Sequence, residues 1–183
     1  MKRTTRLAAL LLACFCGGSV LAHAQSQESA IGGEQRLSVG GDINATYLDY
    51  GKRWIGGAGV SVDAGMGRHL GLEGEGNFTF YREAYNFHTT TYLGGPRYQL
   101  NGLGSSYRLH PYAKFLVGVG EFSLGAYGHG SYFVMAPGAG VDYRVSDRWR
   151  LRLVDFEYQD WPQFSFGATQ TYAITTGVRY NIR

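Results

Sequence analysis

The last fifteen residues of the 183-residue chain, Thr169 to Arg183, constrain the fold more than any other stretch. Gln170, Tyr172, Ile174, Thr176, Val178, Tyr180 and Ile182 fall on one parity. Thr169, Thr171, Ala173, Thr175, Gly177, Arg179 and Asn181 fall on the other. Side chains of a strand alternate between faces, so this is one strand with an apolar face and a small, polar face. Soluble strands usually run about 5–6 residues, whereas a tilted strand needs about 9–11 to cross a bilayer. A soluble barrel turns its greasy face inward, but the inward candidates here are threonines, a glycine, an asparagine and an arginine. The stretch reads as the closing strand of a transmembrane β-barrel, with Tyr, Ile and Val toward lipid.

The other end of the chain is a processing segment. Lys2, Arg3 and Arg6 precede an apolar run from Leu7 to Leu21, and Ala22-His23-Ala24 supplies a small-x-small cleavage site, so residues 1–24 read as a signal peptide. A lipoprotein signal ending at Cys14 is the competing reading. Cleavage after Ala24 removes Cys14 and Cys16, the only 2 cysteines, which leaves no disulfide, thiolate ligand or thiol nucleophile. It also lowers Lys+Arg from 17 to 14, equal to the 14 Asp+Glu, so the basic balance belongs to the signal and gives no support for nucleic-acid binding. No run of about 20 apolar residues follows, which excludes a helical inner-membrane protein. The 28 glycines, 15% aromatics and only 17% charged residues suit an all-β chain with half-apolar walls.

After a periplasmic tether at 25–34, the segment 35–183 alternates through eight strands. Each has an apolar set opposed by a small or charged set. In strand five, for example, Ala113, Phe115, Val117 and Val119 oppose Tyr112, Lys114, Gly118 and Gly120. Pro96 cannot donate a ladder hydrogen bond, so the fourth strand is expected to bulge or become irregular there. The seventh breaks alternation once: continued strictly from Leu151 and Leu153, it would turn Asp155 and Glu157 to lipid. A one-residue bulge near Val154 keeps both inside. Short turns at 66–68, 102–106 and 146–148 alternate with longer loops at 82–89, 123–131 and 161–167, the asymmetry expected of periplasmic turns and outer loops. Tyr85, Phe87, Tyr127, Trp161, Phe164 and Phe166 are the candidates in those loops for contact with an extracellular partner. The fold class is therefore all-β, an eight-stranded antiparallel up-and-down transmembrane barrel preceded by a cleaved signal.

The inward set holds Asp42, Asp63, Glu73, Glu75, Asp142, Asp155 and Glu157 against Arg97, Lys114, Arg144, Arg150, Arg152 and Arg179. An eight-stranded interior is just wide enough to be filled by side chains, and charges buried there must be paired. The expected lumen is a packed ion-pair network, with inward glycines making room for long arginines, rather than an open channel. His69, His88 and His110 are scattered and suggest no metal site. Gly-x-Gly repeats lie within strands and suggest no phosphate loop. No cofactor is expected.

An export signal, eight alternating strands and an interior of paired charges resemble the OmpA-like outer-membrane β-barrel family. The segment Val145-Ser146-Asp147-Arg148-Trp149-Arg150-Leu151-Arg152 is similar to that family's turn into its seventh strand. Thr175, Gly177, Tyr180 and Ile182 resemble its C-terminal assembly signal, although the chain finishes Ile182-Arg183 where family members usually finish on Phe. The resemblance implies the outer membrane of a Gram-negative-type bacterium, contact with outer-membrane lipids, recognition by the barrel-assembly machinery, and a structural or surface-interaction role without catalysis. Some eight-stranded barrels hydrolyse acyl esters of lipid A using His-x-Ser with a carboxylate; His129, Ser131 and Glu121 are the residues that such a hydrolase would use here. The same pattern is also compatible with a small pore or with a soluble ligand-binding barrel.

Overall fold

A computed structural model describes residues 37–49, 52–81, 87–100, 108–124, 129–162 and 169–182. The expected signal and tether, the loop candidates Tyr85, Tyr127, Phe164 and Phe166, and the whole 102–106 turn lie outside the described residues. Eight strands follow in order: β1 (Leu37–Leu48), β2 (Arg53–Gly65), β3 (Leu70–Tyr81), β4 (Phe87–Gln99), β5 (Leu109–Leu124), β6 (His129–Arg144), β7 (Trp149–Trp161) and β8 (Thr169–Ile182). Every neighbouring pair is antiparallel, and β8 returns to β1 in a register running from Leu37↔Ile182 to Leu48↔Thr171. Closure leaves no edge strand with unpaired backbone groups, the condition for a sheet in hydrocarbon.

Alternation sets the two faces. On β1, Leu37, Val39, Ile43 and Ala45 are exposed, while Ser38, Asp42, Asn44 and Thr46 are buried. On β8, Ile174, Val178 and Ile182 face out, and Thr171, Thr175, Arg179 and Asn181 face in. The consequence is a protein inverted relative to water-soluble domains: Ile43 is 65% and Val60 59% exposed, whereas Arg179 is 0%, Arg152 1% and Glu73 2% exposed. A soluble domain almost never fully buries Arg or Glu, and it rarely spreads apolar side chains over a whole wall.

The bulge in β7 is present. Val141 pairs with Val154, but the next residue, Asp142, pairs with Arg152, so Leu153 and Val154 both face outward and Asp155 and Glu157 remain buried. Alternation can therefore be restored by removing one residue. Deletion of Val154 is expected to give a barrel that still assembles and resists SDS, because Arg152, Leu153, Asp155 and Phe156 then alternate without interruption. Deletion of Val117 from the unbulged β5 is expected to abolish assembly, because it inverts the faces of half a strand. Heat-dependent gel mobility of the two deletions is the check.

Two expectations are corrected, and a third, at Pro96, holds as an irregularity without a bulge: Gly94 pairs with Val117 and Arg97 with Lys114, three residues on along each strand. Pro96 is exposed opposite Leu72, and the ladder to β5 skips it without inserting a residue. Trp161 belongs to β7 rather than to a loop, and only 4% of it is exposed. The bulge shifts the parity of everything after Val154, which carries Trp161 to the inner face. Finally, two of the three longer loops are shorter than alternation suggested, and the third keeps its length. Phe87 already lies in β4, and the connections at the loop end are 49–52, 82–86, 125–128 and 162–168. The longest connection, 100–108, lies at the opposite end between β4 and β5.

The tight turns are built locally. Between β2 and β3, Met66 N–H donates to Leu70 O at 2.8 Å, and Gly67 adopts φ 126°, which L side chains rarely tolerate. Between β6 and β7, Val145 N–H donates to Trp149 O at 3.1 Å, and Ser146 Oγ accepts from Trp149 N–H at 3.1 Å.

Candidate functional site

Among the described residues the buried charges gather in the lumen, and alternation aims each side chain there. Arg97 from β4 donates to Asp63 at 2.8 Å, to Asp142 at 2.5 Å and to Glu73 at 3.3 Å. Arg179 from β8 reaches Glu73 at 2.7 Å and also pairs with Asp63. Arg152 from β7 pairs with Glu73, and with Asp155 at 2.8 Å. Lys114 from β5 is caged by Glu75, by Asp155 at 2.6 Å, by Glu157 at 2.5 Å and by Glu73 at 3.8 Å. Glu73 and Asp155 thus join the arginine layer to the lysine cage, and every strand from β2 to β8 contributes a charge.

Neutral groups extend this layer. Ser61 donates to Asp42 at 2.8 Å, Asn77 to Glu75 at 3.2 Å, and Gln159 to Glu157 at 3.1 Å. The Tyr112 ring lies 3.7 Å from the Arg97 guanidinium and 5.4 Å from that of Arg152. Room for that ring comes from Gly140, where a Cβ would stand 2.5 Å from the Tyr112 hydroxyl. Two residues assigned to the network by parity sit instead at its mouth. Arg150 donates two bonds to Asn181 Oδ1, at 2.8 and 3.1 Å. Arg144 lies opposite Arg150 and forms no ion pair among the described residues.

Toward the loop end the lining changes character. Leu93, Leu116, Val134, Ala136 and Trp161 form an apolar cluster on one side. Parity places these residues inside, and their signal is weak because an inward apolar residue looks like any other apolar residue of a strand. Opposite lie Asn44, Thr46, Asn77, Thr79, Thr89, Thr91, Thr171 and Thr175, around a void of about 20 Å³, room for about one water. Asn44 Oδ1, Thr89 Oγ1, Thr91 Oγ1 and Trp161 Nε1 have no hydrogen-bond partner among the described residues, and these four residues line that void, which is polar and roomy enough to hold a water.

Among the described residues, the lumen carboxylates are engaged by neighbouring cations. Carboxylate oxygens of Glu73, Glu75 and Asp155 lie within 4.8 Å of one another, as metal ligands would. However, Lys114 and Arg152 already supply positive charge at that spot. On the outer wall, Glu121 and Ser131 are direct cross-strand partners and both are exposed. No hydrogen bond joins them among the described residues, and the His129 side chain is not among those described. His69 donates to or accepts from Gln99 O at 3.0 Å and stacks on Tyr98, which is a structural use of its ring. At the C-terminus, Thr175 faces inward beside Asp155, while Tyr180 and Ile182 lie on the outer face.

No protein-family model matches the sequence, and no curated protein matches it significantly. Solved structures do. Neisserial surface protein A aligns with a TM-score of 0.66 at 12% identity, covering 79% of this chain and 95% of that one. The N-terminal β-barrel domain of Pseudomonas aeruginosa OprF aligns at 0.57 with 13% identity, covering 82% and 99%. Ail, the attachment invasion locus protein of Yersinia pestis, solved in complex with the heparin analogue sucrose octasulfate, aligns at 0.52 with 18% identity, covering 82% and 99%. The chain has the fold of the eight-stranded outer-membrane barrels, the OmpA-like architecture.

Proposed function

We propose that this chain is an outer-membrane barrel whose lumen is closed by the ion-pair layer, with a structural or surface-interaction role and no catalytic one. The observation that carries the reading is the inversion of the wall: an apolar exterior around fully buried, mutually paired arginines and carboxylates. Such a wall is stable only where hydrocarbon replaces water outside. Residues 1–24 direct export, 25–34 tether the barrel, and both barrel ends of the chain lie on the periplasmic side, as usual for an even-stranded barrel. Assembly then rests on the barrel-assembly machinery reading Thr175, Gly177, Tyr180 and Ile182.

The neighbouring Ail structure, with its heparin analogue, supports an extracellular ligand as the kind of partner such a barrel meets. The short connections at the loop end limit how much surface is offered for that purpose, with 162–168 the longest of them. An ester hydrolase centred on Ser131 is the second reading, and the described residues add only the cross-strand pairing of Glu121 with Ser131 to it.

The deciding experiment is gel mobility of the outer-membrane fraction in SDS, with and without boiling. A folded barrel resists SDS and shifts on heating, which supports the reading. Recovery of an unshifted protein in the soluble periplasmic fraction overturns it and makes a soluble ligand-binding barrel the account.

A further inference from the structure

The two ends of the barrel differ in charge. At the loop end the described residues carry Lys52 and Arg53 against Asp49, Glu121 and Asp160. At the turn end Arg68, Arg108 and Arg148 are exposed, Arg144 and Arg150 add charge at the mouth, and Asp147 is the only exposed acid among the described residues. The three exposed arginines are spaced around the rim, one at each connection: β2–β3, β4–β5 and β6–β7.

An aromatic residue adjoins each of these arginines, in sequence at Arg68 and Arg148 and by a hydrogen bond at Arg108. Arg68 precedes His69, whose ring stacks on Tyr98 with centroids 5.8 Å apart. Arg108 donates to the Tyr143 hydroxyl at 3.4 Å. Arg148 precedes Trp149, which meets Tyr180 edge-on with centroids 5.0 Å apart. Aromatic rings mark the depth at which hydrocarbon gives way to headgroups, so the guanidiniums just beyond them stand at the level of lipid phosphates. Arginine holds a phosphate through two parallel N–H bonds, a geometry lysine lacks. A soluble polyanion would need the charges gathered on one patch; a ring at a fixed depth fits a bilayer surface.

We propose that the turn end carries three arginine–aromatic sites, at Arg68, Arg108 and Arg148, that bind anionic phospholipid headgroups in the leaflet this end faces. The proposal rests on the membrane-barrel reading and adds a lipid specificity to it. Each site recognises the phosphate and the surplus negative charge of a lipid such as phosphatidylglycerol, with the aromatic ring covering the glycerol and upper acyl region. A juxtamembrane arginine near an anionic surface gives about fivefold enrichment of that lipid.

The test uses the full barrel reconstituted in nanodiscs of phosphatidylcholine alone and of phosphatidylcholine with phosphatidylglycerol in equal parts. Lipids retained by the barrel are identified by native mass spectrometry. The expected result is about fivefold enrichment of phosphatidylglycerol at each of up to three positions, falling as salt shortens the reach of the charges. The triple variant Arg68→Gln, Arg108→Gln, Arg148→Gln is expected to insert equally well into phosphatidylcholine and to lose the enrichment. Equal retention of both lipids by the unaltered protein overturns the proposal, as does enrichment that survives in the triple variant. Loss of heparin-column retention in the triple variant with unchanged lipid enrichment reassigns the arginines to a soluble polyanion, and also overturns it. Failure of the unaltered chain to enter any nanodisc overturns the barrel reading itself, a result distinct from insertion without lipid preference.

Discussion

Val60→Arg is expected to leave the chain unassembled, recovered as a protease-sensitive species that shows no heat-dependent mobility in SDS. Val60 is 59% exposed in the middle of β2, and its cross-strand neighbours are Gly41 and Gly76. Neither glycine offers a side chain to shield a guanidinium. Val60 is also seven residues from one end of its strand and five from the other, so the nearer end is roughly 16 Å away at about 3.3 Å per residue. That is too far for the arginine to reach headgroups along the wall. The unrelieved charge costs about 2–4 kcal/mol near the midplane, a large share of the roughly 5–15 kcal/mol that holds a typical domain folded. Val60→Leu is the matched control and should assemble normally. Normal assembly of Val60→Arg would mean that this face is not in lipid, and the membrane reading would fall with it.

Lys114→Met is expected to lower barrel stability by about 3–5 kcal/mol, because it strips the cation from a buried site and leaves its carboxylates facing one another. Glu75, Asp155 and Glu157 converge on the ammonium, with Glu73 3.8 Å away. Methionine preserves the stem of the side chain, so packing changes little and the loss reports the charge. Urea unfolding of the micelle-reconstituted barrel measures it. Adding Glu75→Leu to the same chain should recover part of the loss by removing one uncompensated carboxylate. Both variants should stay closed in planar bilayers, because Tyr112, Arg97 and Arg152 still fill the lumen. A large conductance from Lys114→Met would instead make Lys114 a gate.

Much of this barrel was legible from parity alone. In β1 and β8 the inner and outer sets are chemically distinct at almost every position, so a slip of one residue would be visible at once. The bulge could be inferred because strict alternation put two carboxylates into lipid. Trp161 was misplaced for the same reason the bulge was found: the parity shift had to be carried to the end of the strand, and a Trp-Pro pair reads locally as a loop. Strand ends were also misjudged. His129, Gly130 and Ser131 lack the apolar half of the pattern, yet their backbone continues the ladder to β5. Which carboxylate each cation meets was not legible, because the closed lumen brings Arg179 of β8 to Glu73 of β3, three strands away around the wall. The arginine at each of the three connections was visible in the sequence, but the bond from Arg108 to Tyr143 and the ring pairs His69–Tyr98 and Trp149–Tyr180 were not.

The union of Arg179 with Glu73 spans 106 positions along the chain. It bears on the order in which such a wall can come into being. Before the first and last strands meet, β8 cannot deliver its guanidinium, and Glu73 and Asp63 lack one of their cations. At that stage the sheet also has two raw edges, whose amides and carbonyls find no water in hydrocarbon. A partial barrel is therefore penalised twice, once along its backbone and once in its contents. Strand-by-strand entry into the bilayer would climb a free-energy hill to the last step. The penultimate states belong somewhere sheltered, at a catalyst's seam or at the watery surface of the membrane, and commitment comes when the final strand zips.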